Sequence, residues 1–170
     1  MTRGMRLFAG AALLFGLTAA RADDKSQSNK PFDDTEFVKM AASGGLHEVD
    51  LGKLASTKAA NPEVKKFAER MVTDHGKANE ELKKAAKAAN IECPDKMNEH
   101  HQKEFDRFKE FKGSDFDKEY INHMVKDHEE DVALFTRASK EAKNAAIKEF
   151  ATKTLPTVKE HLELAKKLQK

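Results

Sequence analysis

Tryptophan is absent from this 170-residue chain, tyrosine occurs once, and Cys93 is the only cysteine. A single thiol rules out any intramolecular disulfide, so the fold must be held by packing. Cys93 precedes Pro94 in a stretch that reads as a loop, which makes it an incidental thiol, open at most to an intermolecular disulfide. No downstream residues complete a Cys-His or Ser-His-Asp arrangement, so the sequence offers no catalytic residues. Prolines number four and glycines eight, and no segment shows the period-2 alternation and turn chemistry of a strand. The chain is therefore all-α. An excess of charge of one sign is also lacking, with 31 Lys and Arg against 29 Asp and Glu. That balance argues against a nucleic-acid partner, which calls for a basic face or stripe.

Long apolar runs are confined to the N-terminus. Arg3 and Arg6 precede an apolar run over 7–20, and Ala20-Arg21-Ala22 has the A-x-A form of a cleavage site. Residues 1–22 read as a secretory signal peptide, which implies a periplasmic or secreted protein with no transmembrane segment in the mature chain. No cysteine directly follows residue 22, which argues against a lipid anchor. Removing three arginines leaves 28 basic against 29 acidic residues, a net charge of −1 with histidines neutral. Residues 23–34 read as a mobile leader. Residues 35–170 suffice for one domain with its own core.

Helical periodicity divides that domain into four long segments and a short one. The first spans 35–58, where Gly44 and Gly45 cost about 1 kcal/mol each unless another helix packs closely there. Asn61-Pro62 is an N-cap with proline at the first helical position, opening a second helix over 62–90. Met97, His101, Phe105 and Phe108 form a short amphipathic stripe ending at Gly113, with phenylalanines to cover one end or side of the core. Ser114 is the expected cap of a long helix over 114–143, and Asn144 that of the last, whose Lys166, Lys167 and Lys170 suit the C-terminal dipole. Pro156 predicts a kink or break in that helix, freeing the carbonyl of Thr152. The pattern is a four-helix bundle with an extra helix in the connection between the second and third long helices. That connection, 24 residues over 90–113, is long enough to run back along the bundle, so the two middle helices could be parallel.

Four polar residues stand near mid-helix on apolar faces. Glu48 lies 13 residues before Asn61 and His75 lies 14 after it, which puts both about 20 Å from that turn at about 1.5 Å per residue. His128 and His161 lie at comparable distances on either side of the turn at Lys143-Asn144. His75 is in register with Met71, Ala78 and Leu82, His161 with Phe150, Val158 and Ala165, and His128 with Met124, Val132 and Phe135. Glu48 shares a stripe with Phe37, Ala41, Gly44, Leu51 and Ala55, but His47 fits the neighbouring stripe almost as well. Both remain open as the inward group.

Two segments repeat at an offset of 53. Met71-Val72-Thr73-Asp74-His75 matches Met124-Val125-Lys126-Asp127-His128, and Phe67 and Tyr120 each stand 8 residues before the histidine. These motifs, with Ala41-Ala42-Ser43-Gly44-Gly45-Leu46-His47-Glu48-Val49, FDKEY at 116–120 and LPTVKEHL at 155–162, resemble the exported bacterial domain-of-unknown-function family 4142. The resemblance spans nearly all of 35–168 and implies a ferritin-like bundle outside the cytoplasm. It carries no activity with it.

Histidine and carboxylate side chains from facing helices are how bundles build metal sites. Glu48, His75, His128 and His161 offer one oxygen and three imidazole nitrogens, a set suited to one transition-metal ion: zinc, iron, manganese or copper. The Glu-x-x-His pairs of di-iron proteins are missing, because Val72, Val125 and Val158 occupy the required positions. A mononuclear site fits better. Asp74, Asp127 and Glu160 each precede one of the histidines and could orient a histidine of an adjacent helix, or could be solvated. Met71 and Met124 would favour Cu(I) if they joined the set, and otherwise pack the core. His100 and His101 read as surface residues. The alternative is a metal-free cell-envelope protein whose buried polar network fixes helix register and whose charged surface meets a protein partner that the sequence does not identify.

Overall fold

Side-chain caps set four of the five helix starts. The computed structural model describes residues 31–170, so the cleavage site and most of the leader lie outside the described residues. Asp33 accepts from the N–H groups of Thr35 and Glu36 and starts α1, Asp34–Lys58. Asn61 accepts from Glu63 N–H and starts α2, Pro62–Ala88, with Pro62 in the first turn. The end of α2 falls two residues earlier than the periodicity suggested, and Asn90 beyond it adopts a left-handed φ of 54°. Asn98 caps the short α3, Glu99–Phe108, and Asn144 caps α5, Ala145–Leu168. The start of α4, Gly113–Glu141, departs from expectation: Ser114 lies inside it and Lys112 at the cap makes no side-chain bond. Gly113 makes that entry with φ +56°, a conformation that costs glycine little. No strand occurs among the described residues.

Two aspartates fix the helix directions. Asp117, early in α4, accepts from the N–H groups of Ala60 and Asn61 at the α1–α2 turn. Asp34, at the start of α1, accepts from those of Lys143 and Asn144 at the α4–α5 turn. The start of α4 therefore lies beside the start of α2, and α2 and α4 run parallel. The connection carrying α3 climbs back along the bundle against α1, where Lys58 Nζ binds the carbonyls of Lys109 and Phe111. Around the bundle the order is α1, α2, α5, α4, which leaves α2 and α4 diagonal. The motif repeated at an offset of 53 thus meets itself across the core, with Phe67 against Tyr120 at 6.2 Å and His75 against His128 at 5.5 Å between ring centroids.

The apolar core is in two parts. One contains Leu51, Phe67, Met71, Phe108, Phe116, Tyr120 and Met124, and the other contains Phe37, Val38, Leu82, Phe135, Ile147 and Phe150. Between them His47, Glu48, His75, His123, His128 and His161 form a buried polar layer. Met71 and Met124 are fully buried with the first part, as packing. Phe32 is buried against Phe37. Pro156 lies inside α5, which continues without a break. Among the described residues no helix is long and apolar enough to cross a membrane.

Candidate metal centre

The 3.6-residue period brings Glu48 from α1, His75 from α2, His128 from α4 and His161 from α5 into the layer. The three imidazoles form a near-equilateral triangle, with centroid separations of 5.5, 5.1 and 5.4 Å. One nitrogen from each lies within 4.8 Å of the others. Each ring has its outer nitrogen tied to an acceptor. His128 Nδ1 is 2.9 Å from the Met124 carbonyl, which can only accept, so the proton sits on Nδ1. His161 Nε2 donates to Asp74 Oδ2 at 2.9 Å, and Arg70 Nε holds the same oxygen at 3.1 Å. His75 Nδ1 lies 2.8 Å from Glu48 Oε2.

The inward nitrogens are a different matter. His75 Nε2, His128 Nε2, His161 Nδ1 and Glu48 Oε1 are all buried and have no hydrogen-bond partner among protein groups. His128 Nε2 and Glu48 Oε1 face each other at 3.4 Å without forming one. With the outer protons placed as above, the three imidazoles keep unpartnered inward lone pairs close enough to share one ion, and Glu48 Oε1 stands beside that of His128. Leaving such groups unsatisfied costs about 1–3 kcal/mol each.

Electrostatics favours a cation there. Burial holds all three imidazoles below their ordinary pKa, His161 at about 4, so they are neutral near pH 7 and available as ligands. Burial pushes the Glu48 carboxyl up to about 7 and the Asp131 carboxyl well above its usual range, with Glu48 adding to the latter. Asp131, one turn after His128, escaped the sequence reading. Burial alone would raise Asp74, but hydrogen bonds from His161 and Arg70 hold its carboxyl below the usual range. Of the three acids that precede a histidine, Asp74 alone orients one from an adjacent helix. Asp127 binds His123 of its own helix at 3.0 Å, and Glu160 pairs with Arg70 instead.

His47 and Glu48 are both buried, because α1 is covered by α2, α4 and α3 and has little free face. His47 turns away from the triangle toward His123, whose Nε2 lies 2.9 Å from its own Nε2. His101, expected at the surface, is half-buried, stacks on His47 at 5.1 Å and bonds the Ser43 hydroxyl through Nδ1. His100 is exposed. Burial pushes the Cys93 thiol up, as suits an unreactive side chain.

No curated protein matches the chain. Among solved structures it is similar to the protein described as CopM in the Cu(II)-bound form, at 18% identity and TM-score 0.68 over 82% of this chain and 97% of that one. The Cu(I)-bound form of CopM matches at 18% identity and TM-score 0.66, over 80% and 94%. The apo form matches at 19% and 0.65, over 80% and 95%. These likenesses show that the helical-bundle fold is shared. The motifs at 41–49, 71–75, 116–128 and 155–162 point further, and a family model matching residues 17–168 places the chain in the family described as Domain of unknown function (DUF4142).

Proposed function

We propose that this chain is an exported metal-binding protein holding one transition-metal ion between His75, His128, His161 and Glu48. The observation that carries the reading is the set of three buried histidines with unpartnered inward nitrogens close enough to share an ion, beside the unpartnered Glu48 Oε1, with His128 and His161 held from behind in the tautomer that presents a lone pair. Three imidazoles and a carboxylate suit copper or zinc, and copper stands highest in the general affinity order of divalent first-row ions. The solved relatives described with Cu(I), Cu(II) and Ag bound support copper as the first ion to test. Export rests on the N-terminal pattern of Arg3, Arg6, the apolar run and Ala20-Arg21-Ala22. Protein isolated without a histidine tag should carry metal, and replacing His75 and His128 together by alanine should abolish it. Unchanged stoichiometry in that variant overturns the reading.

A metal-free envelope protein is the second reading. It is favoured by the chain Arg70–Asp74–His161, which ties α2 to α5 with no ion. A metal-free bundle should keep its melting temperature when a chelator is added, whereas a metal-bound one should lose stability by mass action.

A further inference from the structure

A second cluster of ligand-type side chains lies between α1, α3 and α4, beside the layer but separate from the triangle. His47 Nε2 and His123 Nε2 face each other at 2.9 Å, Asp127 Oδ2 lies 3.0 Å from the same His123 nitrogen, and Glu104 Oε2 lies 3.9 Å from it. His47 is fully buried and His123 is 8% exposed.

Protons leave this cluster in competition, because His47 Nε2 and Asp127 Oδ2 both face the single His123 Nε2. If His47 Nε2–H donates to His123, the lone-paired His123 Nε2 confronts the Asp127 carboxylate. If His123 Nε2–H donates to Asp127, His47 Nε2 can be only an acceptor and its proton sits on Nδ1, as it also would with an ion on Nε2. A metal ion removes the conflict at the facing atoms, because imidazole nitrogens and carboxylate oxygens all present lone pairs to it. The spacing also fits. Ligands at about 2.05 Å from an ion and at right angles are about 2.9 Å apart, the separation found between His47 Nε2 and His123 Nε2.

We infer that His47, His123 and Glu104 form a second metal site, with Asp127 beside His123, for a divalent transition-metal cation of the Cu(II) class. Two carboxylates neutralise a dication, whereas the triangle with Glu48 leaves one positive charge, so this site favours the divalent state over a soft monovalent ion. A cavity of about 230 Å³ leads to it, lined by Glu48, Glu104, Asp127, Glu130 and Asp131 against Lys126. Carboxylates in such excess draw cations inward. The sites are neighbours by construction, since His47–Glu48 and Asp127–His128 each send one residue to each.

The test is a titration of the untagged, chelator-stripped full chain with Cu(II), reading bound copper after gel filtration and nitrogen coupling by electron paramagnetic resonance. The parent should bind two ions per chain. His123→Asn should bind one, with coupling to three nitrogens, and His161→Asn should bind one with coupling to two. Glu104→Gln, on the half-buried face of α3, perturbs the fold least and should weaken the second ion tenfold or more. A parent that binds one ion, lost only in His161→Asn, overturns the second site and leaves the proposed function intact. One ion lost only in His123→Asn does the reverse. A second ion that persists unchanged in both His123→Asn and Glu104→Gln also overturns this site.

Discussion

Asp74 holds His161 Nε2 from behind, and Arg70 holds Asp74. Asparagine in its place could donate to Nε2 instead of accepting, and the ring proton would then move to the inward Nδ1. Asp74→Asn should therefore lower metal affinity about 10- to 100-fold with helicity unchanged by circular dichroism. Equal affinity in a dialysis competition would show that the carboxylate has no role. At this scale the triangle was legible, because a histidine in phase with Met71 or Phe150 can point only inward. His123 was legible in principle, standing in phase with Phe116, Tyr120 and Asp127. It was overlooked beside the stronger repeat around His128. Asp131 was hidden in Glu129-Glu130-Asp131, which has the composition of a solvated run.

Glycines separate two elements that composition cannot. A Cβ on Gly52 would stand 3.0 Å from the Ala68 carbonyl oxygen and from Val72 Cγ2, so α2 must move to admit it. A Cβ on Gly44 would meet only His101 Cε1, at 3.9 Å. Gly44→Ala should then stabilise the bundle by about 0.5–1 kcal/mol through helix propensity. Gly52→Ala should destabilise it by about 1–3 kcal/mol, overpacking outweighing propensity. Denaturant midpoints of the two variants check this, and shifts of the same sign would refute the close crossing. The sequence reading placed the close approach at Gly44 and Gly45. The structure confirms it at Gly45, where a Cβ would overlap Asn79, and adds Gly52. Caps were easier: Asn61 and Asn144 act locally, so their effect is written in adjacent residues. The placement of α3 was not legible, because nothing in residues 90–98 dictates which helix it lies on.

At the scale of the molecule the polar layer lies between two parts of the core, and its protonation couples stability to pH. The imidazoles of His47, His75, His128 and His161 are all held below their ordinary pKa by burial, His47 and His161 at about 4. The unfolded chain takes up these protons near pH 6.5 and the folded chain resists, so stability is full above that pH and falls until the folded pKa is reached. For His47 and His161, held at about 4, this corresponds to about 3 kcal/mol apiece. Glu48, raised to about 7, and Asp131, also raised, act in the opposite sense, since protonation relieves a buried carboxylate. The four imidazoles therefore lower stability as pH falls below 6.5, and the two carboxyls oppose them. A bound ion deepens the loss, because it needs the neutral imidazoles and the ionised Glu48 that protons remove. Denaturant unfolding at pH 7.5, 6 and 5 should show a shallow decline in chelator and a steep one with Cu(II). Superimposable curves would place no metal at these histidines.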